Sequence, residues 1–189
     1  FNAWNTLRRN LVKEAMEPLM AKHPEALEAA LQIVNDNLIQ YALASLERGA
    51  AGIFLSVPAS AESVTPEQYA RFMRPFDLQL LNAIRGQGEC HILHAHGERL
   101  YLDQLLDHPA HALSWADLNG GPSIAEARRR TPLTLMAGLD HIKFPYVSAR
   151  VIRDQVKNAM AQADNMKFIL APGCSVATYS FPPLIKAAR

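Results

Sequence analysis

The residues best spaced to do chemistry are two histidines, His94 and His96, in the run Leu93-His94-Ala95-His96-Gly97. On an extended segment, side chains at i and i+2 leave the same face, so both imidazoles project together while Ala95 points away. Gly97 lets the backbone turn immediately after them. Far along the chain, Cys174 follows the apolar run Lys167 to Ala171 through the turn Pro172-Gly173. In α/β folds the carboxyl ends of parallel strands form the ligand-binding edge, and there the two segments can meet. Two imidazoles and one thiolate make a borderline-soft donor set that suits zinc. Three protein ligands leave a fourth position open, from which zinc can activate water or hold a substrate thiol as thiolate. The plainer alternative is structural: His-x-His is common on strands, and a buried cysteine often serves as a small hydrophobe.

Asp117 and Asp140 also sit just past strand-like runs, where each is either a site carboxylate or a cap for a helix or turn. Cys90, His108 and His111 read as structural or exposed. Arg128-Arg129-Arg130 reads as the solvated end of a helix, favourable against its dipole. Trp115 and Phe54 read as core. The chain contains no Gly-x-Gly-x-x-Gly, no P-loop and no Gly-x-Ser-x-Gly, so nucleotide binding and that hydrolase class lack support.

Helix-like and strand-like segments alternate to position these residues. From Pro24 to Arg48, apolar residues at Leu27, Leu31, Val34, Leu38, Ala42 and Leu46 mark one helical face, with Gly49 just past the end. Gly52 to Leu55 is a compact buried strand. Thr65-Pro66-Glu67-Gln68 starts a helix with a capping box, and the pattern predicts one helix to about Ile84. Cys90 to His94, Ala112 to Ala116, Leu133 to Ala137 and Lys167 to Ala171 are the further strands. Helices are expected around Leu100 to Leu106, from Ser123, from Ser148 to Ala163 and from Pro182 to Ala188. Five buried, non-alternating strands separated by helices imply an α/β fold with a mostly parallel sheet covered by helices.

Composition narrows the function classes. The chain has 189 residues, of which 49% are apolar, so it can bury a sizeable core. Nineteen basic against eighteen acidic residues give a net charge of +1, so no global field points to nucleic acid or an anionic membrane. No apolar run approaches membrane-spanning length. Phe1-Asn2-Ala3-Trp4 does not read as a secretory signal, and two cysteines fit a reducing compartment, so the expected location is cytoplasmic.

Several motifs, in order, resemble the uroporphyrinogen decarboxylase superfamily. They are Leu55-Ser56-Val57-Pro58-Ala59-Ser60 leading to Val64-Thr65-Pro66-Glu67-Gln68-Tyr69, His94-Ala95-His96-Gly97, Gly138-Leu139-Asp140 and Ala171-Pro172-Gly173-Cys174. The nearer branch is the zinc-dependent cobalamin methyltransferases that pass a methyl group to a thiol such as coenzyme M. That branch carries zinc on His-x-Cys plus a distant Cys in a Pro-Gly-Cys setting. The resemblance therefore implies His94, His96 and Cys174 as zinc ligands, with His96 standing where the first Cys is expected. It implies a corrinoid as co-substrate, a corrinoid protein as a partner and a small thiol as acceptor.

The decarboxylase branch uses no metal, grips substrate carboxylates with an amino-terminal Arg-rich motif and places an Asp on the pyrrole nitrogens. This chain shows no such Arg-rich motif. Ser56 stands at that Asp position, Cys174 stands where decarboxylases have His, and Ala137-Gly138-Leu139-Asp140-His141 replaces Gly-Asn-Leu-Asp-Pro. Ser56 and Asp140 are the candidate catalytic residues. A tetrapyrrole decarboxylase and a non-catalytic binding relative are the alternatives. The family barrel needs eight strands and about 250 residues, so residues 1–189 are expected to be the carboxyl-terminal part of one domain, its amino-terminal strands missing. Five strands cannot close a barrel, so an open sheet or edges covered by another copy, as a homo-oligomer, is expected.

Overall fold

A computed structural model describes residues 2–11, 15–164 and 166–188; Phe1, with which the reading of the first four residues begins, lies outside them. Five strands, β1 (Phe54–Val57), β2 (Ile92–Ala95), β3 (Ala112–Ser114), β4 (Thr134–Leu139) and β5 (Phe168–Pro172), pair in parallel in sequence order. This is an open five-stranded portion of a (β/α)8 barrel, with β1 and β5 as its edges.

Register sets the two faces of the sheet. Leu55, Leu93, Leu113, Leu135 and Phe168 are successive partners across all five strands. The four leucines are at most 2% exposed. Burying each contributes about 1.5–3 kcal/mol, so this row is what binds the sheet to its helices. The opposite face carries Ser56, His94, Ser114, Met136 and Ile169 in register. The strands are thus apolar on the outer face and partly polar on the inner one. Phe54 and Ile169, on the two edge strands, are 51% and 39% exposed.

The helices follow local signals except where distant contacts intervene. After α1 (Ala3–Asn10) and α2 (Met16–Lys22) comes α3 (Pro24–Glu47), which buries Leu27, Leu31 and Ala42 as its period requires. Gly49, at φ +94°, ends it in the left-handed region open to glycine. The capping box at Thr65 and Gln68 starts α4 (Pro66–Phe72). The single helix expected to run to Ile84 breaks at Met73 and resumes as α5 (Arg74–Ala83). Pro75 is the reason: inside a continuous helix it lacks an N–H and its ring meets the carbonyl four residues back.

The helix expected over Leu100 to Leu106 is only a 3₁₀ turn at Leu102–Gln104. Its leading residues bond elsewhere, Tyr101 N–H to the Ala59 carbonyl and the Arg99 carbonyl to Ala61 N–H. Serine N-caps at Ser123 and Ser148 start α6 (Ile124–Arg130) and α7 (Ala149–Ala163), and α8 (Pro182–Ala187) closes the described chain. Arg128 is no solvated helix end: it donates to the carbonyls of Leu133, Met166 and Lys167, tying the entries of β4 and β5. Among the described residues no helix is long and apolar enough to cross a membrane.

One helix bears on the site. Asn2 caps α1 by accepting from Asn5 N–H and donates at 2.8 Å to Asp77, which also accepts from the Tyr69 hydroxyl. Burial pushes the Asp77 carboxyl up to about 7 despite these donors. With Trp4 buried in the core, α1 is held so that its last turn, carrying Arg8 and Arg9, reaches the carboxyl ends of the strands.

His108 is 2% exposed with neither ring nitrogen hydrogen-bonded, and burial holds its imidazole down to about 4 while Asp107 opposes this. Below pH 6.5 the unfolded chain binds a proton that folded His108 refuses. Its contribution is complete above that pH and is lost as pH falls towards 4. By pH 4.5 the loss is about 2–3 kcal/mol. His108→Leu is expected to flatten the acid limb of thermal unfolding by that amount, and an unchanged wild-type slope would count against it. Asp77 slopes the opposite way over the same range, so the comparison is between variant and wild type.

Candidate functional site

The site is built where the inner faces of β1, β2 and β3 end. His94, on the last turn-in of β2, is 5% exposed, with Nδ1 3.2 Å from the Ser114 hydroxyl of β3 and its ring stacked 5.4 Å from Phe54 of β1. Burial first, then His96 and His141, hold its imidazole down to about 4, so it is neutral and its lone pair is available near pH 7. His96 follows β2, its N–H donating to the Val57 carbonyl at 2.9 Å. The two rings lie edge to face at 6.1 Å.

Gly97 makes the turn behind them at φ +119°, and a Cβ there would stand 2.0 Å from the Ser60 hydroxyl. Cys174 follows β5 through Gly173, whose N–H donates to the Leu139 carbonyl and whose Cα packs so closely that an added Cβ would lie 2.5 Å from Ala116 Cα. His94 and His96, adjacent on one strand face, and Cys174, far along the chain, therefore share one wall. They line both a cavity of about 200 Å³, together with Asn119 and His141, and a larger one of about 620 Å³, together with Arg9, Phe54 and Ser56.

The remaining candidates take different places. Ser56 lines the larger cavity beside His94. Asp140 is 4% exposed, and its Oδ1 accepts from Asn119 Nδ2 and from the N–H groups of Ile142 and Lys143. That geometry fixes the loop after β4. Asp117 accepts from Gly138 N–H at 2.9 Å and steadies the end of the same strand. Cys90 is half-buried, and His91 and His111 are committed to backbone, His91 Nδ1 accepting from Ile53 and His111 Nδ1 from His91.

Three site residues escaped the sequence reading. His141 directly follows Asp140, and its Nδ1 is buried without a hydrogen-bond partner. Burial lowers its basicity, Asp140 opposes this and His96 adds to it. Ser114 was hidden in an apolar run, although the strand register places it beside His94. Arg9 lies on a helix whose signal, Asn2 three residues before Asn5, is short. Arg8 and Arg9 line a further cavity of about 360 Å³ with Asn5, Ser56 and His96.

Two buried, unpartnered polar atoms, His141 Nδ1 and Asn119 Oδ1, face this region. With the imidazole and thiol donors they fit a bound zinc ion chemically. As the side chains stand, no three His, Cys, Asp or Glu groups among the described residues are near enough together to hold a metal. Ligation therefore requires side-chain rotation.

The family model described as uroporphyrinogen decarboxylase (URO-D) matches residues 11–187. The chain belongs to the uroporphyrinogen decarboxylase family. No curated protein matches the sequence. Among solved structures, a methyltransferase from Methanosarcina mazei is similar at 21% identity and a TM-score of 0.86, over 99% of this chain and 55% of that one. A B12-independent methionine synthase from a Shewanella species, in complex with selenomethionine, is similar at 14% identity and a TM-score of 0.62, over 85% of this chain and 54% of that one. This chain thus spans about half the length of the structures it resembles.

Proposed function

We propose that this protein is a methyltransferase of the uroporphyrinogen decarboxylase family that binds zinc through His94, His96 and Cys174 and methylates a small thiol. The observation that carries the reading is the convergence of these three donors on one cavity at the carboxyl ends of the strands. Bound zinc would lower the pKa of the substrate thiol and hold it as the nucleophilic thiolate. The acceptor sulfur forms its bond to the methyl carbon as the cobalt–carbon bond of a corrinoid donor breaks, the electron pair remaining with the corrinoid. His94, kept neutral by burial and oriented by Ser114, needs no proton loss before it serves as a donor. Ser56 and Phe54 line the larger cavity, which is wide enough for the acceptor. Asp140 acts as a positioning residue for the loop that carries His141.

Incubating the whole protein with methylcobalamin and 2-mercaptoethanesulfonate or another short thiol should give zinc-dependent loss of methylcobalamin and a thioether product. Turnover that survives complete metal chelation would refute the reading. One observation favours a second reading, a metal-free tetrapyrrole decarboxylase: Arg8 and Arg9 stand beside the cavity and suit a polycarboxylate. Release of CO2 from uroporphyrinogen in the presence of chelator would decide for it.

A further inference from the structure

We propose that the amino ends of β4 and β5 carry a binding site for a small phosphorylated anion, at the opposite end of the sheet from His94, His96 and Cys174. A cavity of about 440 Å³ opens there. Four basic residues, Arg128, Arg129, Arg130 and Lys167, line it with Thr131, and among the described residues no carboxylate shares the lining. Cations gathered in one concavity repel one another, a cost that a bound anion removes. The dipole of α6 does not account for them. A helix end carries about half an elementary charge, which one cation would offset.

The wall is fixed in place. Arg128 donates to the carbonyl of Leu133 at 3.0 Å and to those of Met166 and Lys167 at 2.9 Å. Its guanidinium is thereby oriented, yet its Nε is buried with no hydrogen-bond partner. Lys167 adopts φ +42°, in the left-handed region, and its ammonium reaches the Pro132 carbonyl at 3.4 Å. Such a conformation persists where its surroundings over-determine it. Here the Lys167 carbonyl accepts from both Arg128 and the Leu135 N–H. Thr131 is 5% exposed, and its Oγ1 accepts from the Leu133 N–H at 3.2 Å, which leaves the hydroxyl proton to donate.

Charge selects the ligand class. Arg130 is paired with Asp103 and stands 3.8 Å from Glu126, so its charge is offset. Arg128, Arg129 and Lys167 make no ion pair among the described residues, and these unopposed cations favour an anion of two or more charges. Guanidinium and ammonium groups together match the oxygens of a phosphoryl group. The volume suits a small molecule, and a net charge of +1 gives no wider basic field to track a nucleic-acid backbone. The inference shares no residue with the zinc reading and stands apart from it.

The test is calorimetric titration of the whole protein with inorganic diphosphate, and separately with inorganic phosphate, at fixed ionic strength. Expected is saturable one-site binding, tighter for diphosphate, with a rise in Tm at saturation. Arg129 is exposed and its side chain has no hydrogen bond to lose among the described residues, so Arg129→Gln should fold and bind diphosphate at least about 10-fold more weakly. Lys167→Gln should weaken binding in the same direction. A variant carrying Arg8→Gln and Arg9→Gln, which removes the arginines beside the other cavity, should keep its affinity within about twofold. Three results overturn the proposal: no saturable binding at fixed ionic strength, wild-type affinity in a folded protein carrying Arg129→Gln and Lys167→Gln, or loss of binding in the Arg8 and Arg9 variant instead. A single-stranded oligonucleotide that binds more tightly than diphosphate and is weakened by Arg129→Gln would overturn it too, making this face a nucleic-acid surface.

Discussion

If zinc sits on His94, His96 and Cys174 as proposed, Cys174→Ala is expected to lower zinc affinity by at least about 100-fold and to remove the charge-transfer band of the Co²⁺ form. Cys174 is the single thiol lining the cavities that hold His94 and His96. Its loss leaves an all-imidazole set, harder and with no anionic donor to offset the divalent charge. The side chain is small and half-buried, and it follows a glycine turn whose backbone bond to Leu139 does not involve it. The fold should therefore persist, with thermal unfolding of the metal-free variant within a few degrees of the wild type. Metal content by atomic emission and the Co²⁺ spectrum measure the outcome. A Cys174→Ala protein that retains stoichiometric zinc would remove the thiolate from the site.

Gly97→Ala should be the most damaging single change at the site. The residue adopts φ +119°, a conformation that L side chains rarely adopt, and the new Cβ would fall 2.0 Å from the Ser60 hydroxyl and 2.4 Å from Ser60 Cβ. Ser60 cannot retreat, because it is fully buried and bridges to Leu100 in an antiparallel contact. Strain and overlap together should lower stability by about 3 kcal/mol or more. For a chain of this size that is a fall in Tm of about 6–12 °C. Because Gly97 sets the turn behind His96, metal affinity should fall in parallel. Gly86→Ala is the control, with a similar positive φ of +80° and nothing within 4 Å of the added Cβ, so it should lose only about 1 kcal/mol. Equal unfolding midpoints for the two variants would contradict this account.

Much of the scaffold was legible because its signals are local. The spacing of Leu27, Leu31 and Ala42, the Thr65–Gln68 box and the serines at 123 and 148 each act within one or two helical turns. The five strands announced themselves as short apolar runs, whereas an open sheet was expected only once the family resemblance set eight as the number a barrel needs. Pro75 was equally visible, and its consequence, the break at Met73, follows from its missing N–H and the clash of its ring with the preceding turn. The residues from Leu100 were not legible, since their backbone partners Ala59 and Ala61 lie some forty positions earlier.

The sequence by itself determined which residues could supply metal-binding chemistry, His94 and His96 by their spacing on a strand and Cys174 by its place after one. Only the tertiary structure decided what stands with them. The strand register set Ser114 beside His94, the Asn2–Asp77 bond swung α1 and its arginines to the cavity, and the loop fixed by Asp140 brought His141 to the same wall. The reason is physical: side-chain periodicity is a property of the nearest few residues. Convergence at a barrel mouth depends on register and loop closure between segments dozens of residues apart, which no local pattern encodes.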